Sequence, residues 1–138
     1  MPGRDAFIEI LRKNGLMVHI RRRRRYKTTD SNHHYRKYPN LIKDVVPHRP
    51  NEIWVSDITY IETDEGVCYL SLITDAYSHK IVGWALGSTL ETIYPLEALG
   101  MALDTIDDET ASRLIHHSDR GCQYCSDAYV SELKKHGV

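Results

Sequence analysis

The sequence has no run approaching the roughly 18 apolar residues that a membrane-spanning helix requires. Nor does an apolar region follow Met1-Pro2-Gly3-Arg4-Asp5 to make a signal peptide. A membrane partner is therefore not expected, and a cytoplasmic location is. Cysteine is scarce. Cys68, Cys122 and Cys125 are too few, and odd in number, for a disulfide framework, so free thiols in a reducing compartment are expected. No internal repeat or low-complexity run is visible apart from one block of arginines.

What the sequence does hold is a division of charge. Residues 1–50 carry 13 Lys/Arg against 4 Asp/Glu, and residues 51–138 carry 5 against 15, so a net charge of -1 conceals halves of +9 and -10. A basic arm that approaches a polyanion, beside a domain that tolerates or needs clustered carboxylates, accounts for such asymmetry. Nucleic acid together with metal ions is the leading suggestion. With 138 residues there is room for one core plus an arm, and the prolines of Pro47-His48-Arg49-Pro50 mark a linker. The expected domains are a basic arm and linker over 1–50 and a folded domain over 51–138.

In the arm, residues 4–13 read as a short helix with Phe7, Ile8 and Leu11 on one side, stopped by Asn14-Gly15. Arg21, Arg22, Arg23, Arg24 and Arg25 then run together, followed by Lys27 and by Tyr35-Arg36-Lys37-Tyr38. A solvated charge run is the plain reading of this stretch. The interleaving of Tyr26, Tyr35 and Tyr38 favours contact with DNA phosphates, which neutralises charge without reading sequence.

In the domain, β-branched and aromatic residues over 53–61 predict a strand, with a turn at Thr63-Asp64-Glu65-Gly66. Two more strands are predicted over 67–74 and 80–86, split by the turn composition of Asp75-Ala76-Tyr77-Ser78-His79. Leu96, Leu99, Leu103 and Ile106 then space a helix over 93–106, capped by Thr92. A short strand over 113–117 and a helix capped by Ser126 complete the order βββαβα. Trp54, Trp84 and Tyr60 are expected in the core.

Alternation along the first strand puts Asp57 on a face with Val55 and Thr59, among apolar neighbours where a bare carboxylate is costly. Asp119 follows the fourth strand. A crossover helix would let that strand return beside the first, bringing Asp57 and Asp119 together as Mg²⁺ or Mn²⁺ ligands. A pair of such ions can activate attacking and leaving oxygens in phosphodiester chemistry. The plain alternative is a structural acid at 57 and a turn residue at 119. Cys122-x-x-Cys125 beside His116 and His117 has zinc donor types, but alternation turns the two histidines to opposite faces. The preferred reading is packing for one histidine and site support for the other. Asp75 is read as holding its own turn, and Gly121 as permitting a sharp turn or a close backbone approach.

Three segments carry a resemblance: Trp54-Val55-Ser56-Asp57-Ile58-Thr59-Tyr60-Ile61, Asp75-Ala76-Tyr77-Ser78-His79-Lys80-Ile81-Val82-Gly83-Trp84 and His117-Ser118-Asp119-Arg120-Gly121-Cys122-Gln123-Tyr124. In this order they resemble the catalytic core of bacterial insertion-sequence transposases, the retroviral-integrase-like group, over about residues 45–138. The resemblance implies an α/β ribonuclease-H-like mixed sheet, incomplete at its C-terminal side, and a two-metal site in the complete domain. It implies that Asp57 and Asp119 are the first two members of an Asp-Asp-Glu triad. The family's glutamate lies beyond Val138, and Glu132 does not match its position, so this chain alone is expected to be inactive. Arg120 and Gln123 are expected to contact DNA near the metal. The alternative is a catalytically inactive DNA-binding fragment. An exposed sheet edge and apolar surface lead to an expectation of self-association or marginal stability.

Overall fold

The computed structural model describes residues 3–16 and 31–138. Near the N-terminus, α1 (Arg4–Lys13) forms where the sequence predicts it and ends at Asn14 and Gly15, the glycine at φ +67°. It buries none of its residues.

The domain is a four-stranded sheet built from β1 (Ile53–Thr63), β2 (Gly66–Asp75), β3 (Ile81–Gly87) and β4 (Ile115–Ser118). The strand order is β3-β2-β1-β4. The first three strands form the predicted antiparallel meander, and β4 lies parallel to β1. The first turn closes at Gly66, whose φ of +136° only glycine adopts readily. In the second, the Asp75 carboxylate accepts from the backbone N–H groups of Asn51 (2.5 Å) and Ser78 (2.6 Å) and from the Ser78 hydroxyl (2.7 Å). Burial would raise the Asp75 pKa, but these bonds outweigh it and hold the carboxyl below its usual range. The local role expected for Asp75 is the one the structure gives it.

A parallel β1–β4 pair needs a long crossover, supplied by α2 (Ile93–Leu103) and α3 (Asp108–Ala111). The single helix expected over 93–106 is two. After Leu103 the chain turns, with Thr105 Oγ1 donating to the Ala102 carbonyl, and Asp107 starts a new helix by accepting from Thr110 N at 2.8 Å. Thr92 does not cap α2 through its side chain. Its own backbone is already helical (φ -63°, ψ -19°), so the hydroxyl is not presented to the free N–H groups. β4 begins at Ile115 rather than 113, because Leu114 N still bonds back to Ala111 O. Beyond it come α4 (Cys122–Cys125), not foreseen, and α5 (Asp127–Lys135), capped as predicted by Ser126 accepting from Tyr129 N.

α2 packs on one face of the sheet, where Ala98, Leu99 and Ala102 meet Trp54, Ile73, Val82 and Ala85, with Leu114, Tyr124 and Tyr129 closing the cluster. Register places Asp57, Leu72 and Trp84 side by side on the opposite face. Trp84 is therefore not in the core. It is 52% exposed, because alternation gives the helix-covered side to Ala85. Tyr60 is half-buried, its ring edge-on to Tyr69.

The close approach of α2 rests on Gly83. A Cβ there would sit 2.0 Å from the Ala98 carbonyl oxygen, a backbone atom that cannot swing away. Gly83→Ala should cost about 3 kcal/mol of unfolding free energy through overpacking. A urea titration checks this, and an unchanged midpoint would contradict it.

Candidate metal and nucleic-acid site

The site is positioned by the parallel pair. Ile53, Trp54, Val55 and Ser56 stand in register with Ile115, His116, His117 and Ser118. Asp57 and Asp119 are the next residue on each strand. Neighbouring strands run about 4.8 Å apart, so the two acids leave the same end of the pair. Asp57 is solvent-exposed, which corrects the expectation of a desolvated carboxylate. Water solvates the carboxylate there, so no buried partner is required.

Asp119 opens a tight turn. Its Oδ1 accepts from Gly121 N at 2.9 Å. Gly121 has an ordinary φ of -68°, so left-handed freedom is not why glycine is used. A Cβ at this position would lie 2.9 Å from Asp119 Oδ1 and 3.3 Å from Gln123 Oε1, so the missing atom leaves room for the carboxylate. The close approach expected at Gly121 is made by the side chains of Asp119 and Gln123.

Behind the strands, the Ser56 and Tyr129 hydroxyls meet His116 Nε2 at 2.7 and 3.0 Å. Burial, with a smaller contribution from His117, pushes the His116 pKa down to about 4, so the ring is neutral at pH 7 with its Nε2 in hydrogen-bond range of both hydroxyls. This ties β1, β4 and α5 together directly beneath the two acids. Burial raises the Tyr129 pKa, which keeps that hydroxyl a donor. His117, on the alternate face, lines a groove of about 280 Å³ together with Tyr38, Leu41, Asp119, Tyr124 and Leu133.

The near end of the basic segment lies along this groove. His33 Nε2 is 2.9 Å from the Arg120 carbonyl, and the Arg36 guanidinium sits 5.1 Å from the Tyr38 ring centroid. Burial raises the Cys125 pKa, Asp119 adds to the rise, and Lys37 and Arg120 oppose it, so Lys37, Arg120 and Asp119 are all electrostatic neighbours of that thiol. Arg21, Arg22, Arg23, Arg24, Arg25 and Lys27 lie outside the described residues. Gln123 has its amide engaged, donating to the Leu90 carbonyl at 3.0 Å. Glu132 pairs with Lys135 and His136. Cys68, Cys122 and Cys125 are free thiols. Among the described residues no group of three or more His, Cys, Asp or Glu is placed to hold a metal ion, which removes the zinc reading. Tyr124, Tyr129 and Ser56 were not singled out from the sequence. Tyr124 follows Asp119 by five residues, but no spacing rule marks it.

The description "Integrase core domain" fits residues 47–138 of this chain. The 31 kDa protein of insertion element IS600 from Shigella sonnei is 41% identical over 129 residues, covering 92% of this chain and 46% of that protein. The transposase for insertion sequence element IS629, also from Shigella sonnei, is 36% identical over 119 residues, 86% of this chain and 39% of the relative. Transposase InsF for insertion sequence IS3A from Escherichia coli is 38% identical over 98 residues, 71% and 33%. The chain thus spans less than half the length of each of these relatives. Among solved structures, the catalytic core domain of HTLV-2 integrase, in complex with magnesium, superposes with a TM-score of 0.53 at 15% identity, covering 64% of this chain and 57% of that one. That likeness shows the fold.

The His116 network predicts a pH dependence. The folded pKa is depressed, so the stability it confers is complete above the ordinary histidine value of 6.5 and is lost as pH falls toward 4. Between those limits the wild-type chain should lose up to about 1.4 kcal/mol per pH unit from this group. His116→Gln should flatten the slope between pH 6.5 and 5 in denaturant titrations. Equal slopes would show that His116 is not held neutral.

Proposed function

Because the chain belongs to the integrase core domain family, we propose that it is a transposase catalytic-core segment, working on DNA phosphodiesters with Mg²⁺ or Mn²⁺ held by Asp57 and Asp119. The observation that carries this reading is the register of β1 with β4, which brings two acids 62 positions apart in sequence to one end of one strand pair. Two carboxylates with open surroundings suit Mg²⁺, which keeps several waters and takes few protein ligands. The buried Tyr124 hydroxyl, with no hydrogen-bond partner among the described residues, fits the same group. When bound, the cation supplies charge neutralisation and Lewis-acid activation at the phosphodiester.

The chain's own residues do the rest. Gly121 N–H holds Asp119 Oδ1 in place, the His116 network fixes the spacing of the strands, and Arg36, Lys37 and Arg120 attract the backbone of DNA toward the acids. The arginines at 21–25 and Lys27 extend that attraction, and Gln123 braces the turn. Among the described residues no third His, Cys, Asp or Glu joins the two acids, and on this reading the chain by itself binds the cation without cutting DNA. The activity proposed for the family's full-length proteins is strand transfer at transposon ends, in the bacterial cytoplasm at the nucleoid. Ile81, Trp84 and Leu86, each about half exposed, support self-association, which sedimentation velocity would report as a species heavier than 15.9 kDa.

Titration of Mg²⁺ by calorimetry should show binding to the wild-type chain that Asp57→Asn and Asp119→Asn each remove. Three identical titrations of folded proteins would overturn the metal reading. For DNA, the logarithm of duplex affinity should fall linearly with the logarithm of salt concentration. Replacing both Arg36 and Lys37 by alanine should lower that slope by about 2. An unchanged slope would remove this segment from the DNA interface.

A further inference from the structure

Tyr124 is only 6% exposed, and its hydroxyl oxygen is buried with no hydrogen-bond partner among the described residues. Such a group is costly, roughly 1–3 kcal/mol, and phenylalanine would fill the same space without the penalty. The oxygen calls for a partner beyond the described residues. Its surroundings say of what kind. The ring is fixed edge-on against Tyr129, centroids 5.3 Å apart at 86°, and Tyr129 is anchored in turn on His116. Tyr124 lines the same groove as Asp119, and its hydroxyl lies within electrostatic reach of both Asp57 and Asp119. Burial, then Tyr129 and the two carboxylates, raise its pKa, so the phenol stays protonated.

We propose that Tyr124 is a positioning residue of the metal site, its hydroxyl hydrogen-bonded to the hydration shell of the divalent cation held by Asp57 and Asp119. This rests on the metal reading above. Carboxylates only accept hydrogen bonds, whereas a phenol has both a lone pair and a proton. Water that a cation polarises donates strongly, and the Tyr124 oxygen accepts from it while offering its proton toward the carboxylates. Residue 124 reaches this place because α4 starts at Gly121, the residue that orients Asp119. One turn therefore sets both the ligand and the group that orders its water. Partners of this kind typically change metal affinity 10–100-fold.

The test compares Tyr124→Phe, Tyr129→Phe and Asp57→Asn in the full chain, by Mg²⁺ calorimetry and by thermal melting without metal. Tyr124→Phe should melt no lower than wild type yet bind Mg²⁺ about tenfold more weakly. Tyr129→Phe, which cuts a bond to His116, should melt lower and bind Mg²⁺ within about twofold of wild type. A Tyr124→Phe protein that binds Mg²⁺ as tightly as wild type, while Asp57→Asn does not bind, would overturn the role of Tyr124 and leave the metal site standing. A wild-type chain that binds no Mg²⁺ would overturn the metal site and this role together.

Discussion

The parallel pairing of β1 with β4 is the interaction on which the rest depends. Parallel strands cannot be joined by a hairpin, so the chain commits α2 and α3 to the crossover before Ile115 can stand beside Ile53. The return is enforced from one side by the core, where Trp54 is completely buried and Leu114 nearly so. It is enforced from within by His116, whose ring nitrogen meets a hydroxyl from β1 and another from α5. A slip of one residue would turn His116 away from both hydroxyls and separate Asp57 from Asp119. Packing, the buried polar network and the placement of the acids are thus one constraint.

Much of this was legible in the sequence, for identifiable reasons. The meander followed from β-branched strands separated by the turn residues around 64–66 and 75–79, and turn chemistry is local. That Asp57 and Asp119 lie near one another followed from strand alternation and the crossover rule, whereas their reading as metal ligands rested on the resemblance to the transposase core. What was not legible depended on which side of the sheet receives a helix. Asp57 has apolar neighbours in sequence but lies exposed, and Trp84 is outside for the same reason, because α2 covers the alternate residues. Helix ends were misjudged where a second cap competed, as Asp107 does after Leu103. The Tyr124 hydroxyl and the Ser56–His116–Tyr129 network escaped notice because hydrogen bonds between distant elements leave no period in a sequence.

The charge division also has a structural meaning. The acidic half builds the sheet and the carboxylate end, while part of the basic half, residues 33–41, lies against the groove beside Asp119. A polyanion drawn to Arg36 and Lys37 is therefore drawn toward the acids, and a cation there would offset the repulsion between phosphate and carboxylate. On the proposed function, affinity from the arm and chemistry from the domain would meet at one end of the sheet.

The central claim is that Asp57 and Asp119 form one divalent-metal site on the β1–β4 pair. Anomalous diffraction from crystals of the chain grown with Mn²⁺ tests it most directly. The account predicts a peak within coordination distance of both carboxylates, about 2.2 Å, with Tyr124 Oη in hydrogen-bond range of a water on the ion. Ordered carboxylates with no peak between them, or a peak elsewhere on the chain, would contradict it.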